Sequence, residues 1–328
     1  MFRAPVNRLR DDVATAFIFP GQGSQAVGMG KTLADASASA RAVFAEVDEA
    51  LGQNLARLMW EGPEEELTLT ENAQPALMAV SLAVVRMLEV DHGITVAGKV
   101  KYVAGHSLGE YSALAAAGSF SLADTARLLR IRGRAMQDAT PIGTGAMAAL
   151  LGLDHGDAVA VAVEASQGEV CEAANDNAPG QVVVSGHRTA VERAVEIAKR
   201  AGARRAVMLS VSAPFHCALM KPAARIMTDA LEATPMRAPS IPVISNVTAG
   251  PLSNPDHIRA RLIDQMTSTV RWRESMVRMA AEGVRLFCEL GSGRVLTGLA
   301  KRSAPDAAGL AIGGSADFDS ALVQLNRA

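Results

Sequence analysis

Gly105-His-Ser107-Leu-Gly109 sets a serine between glycines, where an apolar run, Val100 to Gly105, gives way to a helical run that begins at Leu108. In that context G-x-S-x-G holds a nucleophile: the serine sits on a sharp strand-to-helix turn, and the glycines relieve the crowding. Free N–H groups at the start of the helix can then stabilise an oxyanion on an attacked carbonyl. The same residues admit a plainer reading, because Ser107-Leu-Gly-Glu110 is also an S-x-x-E capping box. A partner base has to decide between them.

Of the six histidines, His92, His155, His187 and His257 stand in polar, turn-like surroundings, and His106 belongs to the serine motif itself. His216 differs. Ala213-Pro-Phe-His216 leads into a helical stretch reaching Ala233, with Leu219, Met220, Ala223, Ile226, Met227 and Leu231 as its apolar stripe. A histidine at a helix N-terminus feels the positive end of the dipole, which disfavours the imidazolium and suits a general base. A capping or structural histidine is the alternative. Arg132 is the third unusual residue. On the helix read from Asp124 to Asp138 it shares the face of Thr125, Leu128, Leu129, Ala135 and Met136, while Arg127, Arg130 and Arg134 point the other way. A guanidinium on an apolar stripe needs an anion, supplied either by an internal carboxylate or by a substrate.

Other features narrow the possible chemistry. Gly21-Gln-Gly23 imitates a dinucleotide loop, with Ala26 in the place of the third glycine, but Pro20 interrupts the turn and no acidic residue closes a second strand. Gly28-Met-Gly30-Lys31-Thr32 imitates a P-loop, but Gln25 stands where its first glycine belongs. A net charge of −2 and 4% aromatics leave no nucleic-acid footprint, while 49% apolar residues allow a sizeable core. Cys171, Cys217 and Cys288 are far apart in apolar runs, as expected of reduced, buried thiols. Met1 to Asp12 lacks the apolar core of a signal peptide, and Ala76 to Val85 is too short to cross a bilayer. A soluble, cytoplasmic protein that engages neither membrane nor nucleic acid is expected.

Elements must hold these residues in place. Strands are expected at Ala14 to Pro20, Val100 to Gly105, Pro242 to Val247 and Val284 to Leu290. Helices are expected at Gln74 to Glu89 (Pro75 in its first turn), at Asp256 to Thr267 and, as the last element, near Val295 to Arg302. Alternation of this kind predicts an α/β fold with a mostly parallel sheet. From Gly145 the rhythm becomes β-α-β-β-α-β, with strands at Ala146 to Leu153, Val170 to Ala174, Gln181 to Ser185 and Arg205 to Val211 and a turn-rich Asn175 to Gly180. That order predicts a ferredoxin-like small domain, 140–211, inserted into a large domain formed by 13–139 and 212–328, behind an N-terminal extension, 1–12.

Phe19-Pro-Gly-Gln22-Gly-Ser-Gln25, Gln74-Pro-Ala, Gly105-His-Ser107-Leu-Gly-Glu-Tyr, Arg132-Gly, Ser212-Ala-Pro-Phe-His216 and Gly291-Ser-Gly-Arg-Val-Leu occur in this order from about Phe17 to Arg302. Together they resemble the malonyl-CoA:acyl carrier protein transacylase family, kin to the acyltransferase domains of polyketide synthases. The resemblance implies an α/β-hydrolase-like large domain, acylation of Ser107, and His216 as base in a dyad without an essential acid. It implies that Arg132 binds the malonyl carboxylate, that the N–H groups of Gln22 and Leu108 form the oxyanion hole, and that Gln265 orients the histidine through a carbonyl oxygen. Phe215 occupies a place where the family varies with the α-substituent accepted. Malonyl-CoA and acyl carrier protein are the implied partners of a monomeric, ping-pong enzyme that needs no metal, nucleotide or redox cofactor. An α/β-hydrolase esterase or thioesterase shares the serine motif but places its base after a triad acid near the chain end, whereas the last histidine here is His257. A module that only docks carrier proteins would have no use for intact Ser107, His216 and Arg132.

Overall fold

The computed structural model describes residues 14–327, so the expected extension at 1–12 lies outside the described residues. Among the described residues, ten strands form two sheets: β1 Ala14–Phe19, β2 Tyr102–Gly105, β3 Gly145–Leu151, β4 Cys171–Ala178, β5 Gln181–His187, β6 Arg205–Met208, β7 Val243–Ile244, β8 Pro251–Leu252, β9 Val284–Leu290 and β10 Ala308–Ile312. The larger sheet runs β10-β9-β1-β2-β7-β8, parallel throughout except for β8. At its centre, Ala16, Phe17, Ile18 and Phe19 of β1 are all fully buried, as an uninterrupted apolar run requires when both faces of a sheet are covered. One face packs on the helices around Thr70–Arg86 and Leu122–Asp138, the other on Trp272, Met276 and Leu296.

The smaller sheet, β4-β5-β3-β6, is antiparallel, and its helices His155–Ser166 and Arg188–Arg200 give the β-α-β-β-α-β order read from the sequence. It has a core of its own, including Leu150, Val161, Val182, Val184 and Val191. The two sheets meet at an extension of β4. Asp176 N–H donates to the Val270 carbonyl and Val270 N–H to the Ala174 carbonyl, both at 2.9 Å, and the buried Asp176 pairs with Arg273 at 2.8 Å.

Several expected boundaries move. β4 runs on to Ala178 through two register shifts, so the turn-rich Asn175 to Gly180 is mostly strand, because Val270 and Arg273 supply partners for its polar groups. The long buried helix begins at Thr70 rather than Gln74, which puts Pro75 inside it, where the Glu71 carbonyl loses its intrahelical donor. With its continuation to Asp91 this helix reaches 22 residues at mean hydropathy 1.4, but 83% of its apolar window is buried in the core. Val295–Ser303 is not the last element. β10 and the helix Phe318–Leu325 follow; β10 is an edge strand with a partly exposed face, so its apolar signal is weak. β6 stops at Met208, short of Val211.

Candidate active site

Ser107 lies between β2 and the helix Gly109–Ala116 with φ of 53°, a left-handed conformation that strains any side-chain-bearing residue. Both flanking glycines are needed. A Cβ on Gly105 would collide with the backbone of Gly109, and one on Gly109 with the Phe19 carbonyl. Asn246 holds the turn: its Oδ1 accepts the Ser107 N–H and its Nδ2 donates to the Gly105 carbonyl, each at 2.7 Å. The capping-box alternative does not form. Leu108 is the N-cap and makes no side-chain cap bond, while the Glu110 carboxyl turns inward to accept from Gln265 Nε2 at 2.7 Å and Asn246 N–H at 3.2 Å.

Ser107 Oγ and His216 Nε2 are 2.8 Å apart, and His216 Nδ1 lies 2.8 Å from the Gln265 main-chain carbonyl. A carbonyl only accepts, so Nδ1 carries the proton and Nε2 is left to accept from the serine. The helix expected to begin at His216 begins at Lys221, after a short 3-10 turn, Ala218–Met220. His216 itself sits in a turn with φ of 59°, so the helix-dipole argument does not apply. Its pKa is still pushed down, to about 3, by burial first and then by the Arg132 charge, while the Gln265 carbonyl opposes both. Of the stripe expected behind it, Met220, Ala223, Met227 and Leu231 are buried, but Ile226 is 46% exposed.

Arg132 is 1% exposed among the residues of its apolar stripe. Nη1 donates to Gln74 Oε1 at 2.9 Å; Nη2 donates to Gln265 Oε1 at 2.8 Å and Ser107 Oγ at 3.1 Å. The Tyr111 ring lies 5.7 Å from the guanidinium carbon. No carboxylate among the described residues forms an ion pair with it, so the internal-ion-pair alternative is not realised as a direct contact.

These groups open on a cavity of about 450 Å³ between the two sheets. Gln22, Ser107, Leu108, Arg132 and His216 form one part of its lining, and the apolar side chains of Met147, Val183, Leu209 and Phe215 form another. The glycine-rich loop after β1 reaches the cavity because Gly21 packs on the serine turn, where a Cβ would come within 2.8 Å of the His106 carbonyl. Thr70 then bonds both Gln22 Nε2, at 3.3 Å, and Ser212 Oγ, at 2.8 Å. Neither the Gln22 N–H nor the Leu108 N–H has a hydrogen-bond acceptor among the described residues.

The profile of the acyl transferase domain family matches residues 16–311. Malonyl CoA-acyl carrier protein transacylase of Bacillus subtilis (strain 168) is 48% identical over 288 residues, 88% of this chain and 89% of that protein. The chain belongs to the malonyl-CoA:acyl carrier protein transacylase family. The Escherichia coli (strain K12) transacylase is 47% identical over 290 residues, 88% of this chain and 92% of its own length. Among solved structures, acyl-carrier-protein-S-malonyltransferase from Bartonella henselae superposes with a TM-score of 0.93 at 54% identity, covering 95% of this chain and 99% of its own. A malonyl-transacylase in complex with its type II PKS acyl-carrier protein superposes with a TM-score of 0.91 at 42% identity, over 95% and 99% of the two chains.

Within this transacylase fold, Ser107, His216, Arg132, Gln22, Leu108 and Phe215 all reach one cavity, and Gln265 stands just behind it. Asn246 and Glu110 were missed as site residues. Asn246 follows a two-residue strand in a loop with no motif of its own, and Glu110 was visible only as a capping residue. All three cysteines are buried and free; burial pushes Cys171 up to about 12 and Cys217 to about 11. Among the described residues no cluster of His, Cys, Asp or Glu has the makings of a metal site.

Proposed function

We propose that the chain transfers a malonyl group from malonyl-CoA to the phosphopantetheine thiol of an acyl carrier protein, through a malonyl ester on Ser107. His216 Nε2 takes the Ser107 Oγ–H proton as the oxygen attacks the thioester carbonyl. The Gln22 and Leu108 N–H groups hold the oxyanion. When the C–S bond breaks, His216 returns the proton to the coenzyme A sulfur. The carrier thiol then enters and the steps run in reverse, which makes the kinetics ping-pong. Gln265 keeps His216 in the required tautomer through its carbonyl.

The observation that carries this reading is Arg132, a buried guanidinium without a directly paired carboxylate, 3.1 Å from the nucleophile. A carboxylate one methylene from the attacked carbonyl falls within its reach, and malonyl has that form. No step calls for a metal, nucleotide or redox cofactor. The esterase reading needs an acid behind the histidine, and a main-chain carbonyl stands there instead.

On the same reading, 140–211 is a ferredoxin-like small domain, and the segments 13–139 and 212–328 form an α/β-hydrolase-like large one. The strand order β4-β5-β3-β6 and the separate small core support that division. The enzyme works as a cytoplasmic monomer, and Phe215 limits the α-substituent. Mixing with malonyl-CoA and reading the intact mass tests the function: one malonyl adduct should persist until a carrier thiol is added. An adduct that hydrolyses at once, or none at all, would sink it.

A further inference from the structure

Glu110 is unused in the mechanism above, yet it is 2% exposed and forms no ion pair among the described residues. Arg132, 1% exposed, also lacks a directly bonded anion. The Gln265 side chain joins them: its Oε1 accepts from Arg132 Nη2 at 2.8 Å, and its Nε2 donates to Glu110 Oε2 at 2.7 Å and to the Ser107 carbonyl at 3.1 Å. The amide dipole is therefore aligned, with its negative end on the guanidinium and its positive end on the carboxyl.

We propose that Glu110 is the counter-anion of Arg132 in the unacylated enzyme, held one amide away by Gln265 so that the guanidinium stays open to a substrate carboxylate that takes over its role. A direct, fully desolvated ion pair would be hard for a substrate to break, since separating such partners leaves an uncompensated buried charge. A spacer keeps the compensating field and leaves the donors available. When the malonyl carboxylate arrives, two anions would share one cation in a dry site, so the weaker acceptor of charge is relieved by taking up a proton. Glu110 is suited to that exchange. Burial pushes its pKa up to about 7, against the opposing hydrogen bonds from Gln265 and Asn246 and the charge of Arg132. Besides Arg132, the ionisable group acting on it is Tyr111, whose own pKa is pushed up to about 12 by burial. The substrate half of this proposal rests on the malonyl role given to Arg132; the counter-charge half does not.

Thermal unfolding of the unacylated full chain at about pH 8, in a cycle of Glu110→Gln, Arg132→Gln and the double variant, tests the counter-charge. Glutamine keeps an oxygen acceptor for both hydrogen bonds while removing the charge, at the cost of an NH2 donor in place of the second oxygen. Glu110→Gln should lower Tm by about 2–4 °C with Arg132 present and by less than half that in the Arg132→Gln background. An equal loss in both backgrounds, as expected of a clamp on the serine turn alone, overturns the proposal. Should Glu110→Gln fail to accumulate as folded protein, the double variant should fold, and failure of both overturns it too. Loading Ser107 with malonyl-CoA should then shrink the Glu110→Gln loss by at least half. Coupling in the cycle without that rescue keeps the counter-charge and removes the carboxylate reading of Arg132 instead.

Discussion

The cavity has two unlike walls. On one, Ser107, His216 and Arg132 are tied to one another, and to Gln265, Asn246 and Glu110 behind them, by hydrogen bonds of 2.7–3.1 Å. On the other, Met147, Val183, Leu209 and Phe215 offer apolar surface and act through shape. Polar networks in a dry interior hold one geometry, and each broken link strands a buried partner. Apolar walls tolerate resizing at modest cost. Substitutions in the first wall should therefore change which reaction occurs, and those in the second how well a substituent fits.

The largest effect is expected at Ser107, the proposed nucleophile. Ser107→Ala should abolish covalent malonyl loading and lower turnover by about 10⁴-fold or more, with Tm within a few degrees of wild type. An adduct surviving in the intact mass would remove Ser107 from the role. Next comes Arg132→Ala, which should cost about 2–5 kcal/mol in malonyl kcat/KM and much less for acetyl-CoA, so selectivity falls along with rate. Equal losses on both thioesters would make Arg132 a structural residue and erase the contrast between the walls.

From the apolar wall, Phe215→Ser should narrow the kcat/KM gap between malonyl- and methylmalonyl-CoA. One methyl group commands only about 1–3 kcal/mol of selectivity, so a several-fold change is expected; an unchanged ratio in a competition assay would move the selectivity to another side chain. The smallest expected effect is a flat line. With its pKa held near 3, His216 stays neutral well below pH 6.5, and kcat/KM should show no acid limb at the ordinary imidazole value. The sign for stability is the reverse of a paired histidine. Only the unfolded chain takes up this proton near pH 6.5, so His216 makes folding less favourable as pH falls from there towards 3. A limb near 6.5 that persists in Glu110→Gln would show that the base is not kept neutral by the site.

Much of the fold was legible because its signals are local. β1 and β9 are short apolar runs bounded by proline or glycine, and Val284 to Leu290 matches β9 residue for residue. The β4 extension and β10 were not legible. Polar Asn175, Asp176 and Asn177 read as a turn until partners on Val270 and Arg273 make them strand, and β10 is half-exposed at the sheet edge. The His216 helix misled for a related reason: amphipathic spacing continues across the 3-10 turn Ala218–Met220, so periodicity alone sets the helix start too early.

The sequence by itself determined the turn at Ser107, since glycines at 105 and 109, lacking a Cβ, let a strand enter a helix this sharply. It also determined that Arg132 faces inward, because helical spacing assigns faces without reference to anything else. Tertiary structure alone decided what that arginine meets. Gln74, Ser107, Gln265 and, through Gln265, Glu110 come from separate elements, and a hydrogen bond depends on distances of a few ångströms that no spacing along the chain encodes. The same holds for the histidine. Its neutrality was expected from a helix end, but it follows from burial beside a cation, a property of how distant segments pack.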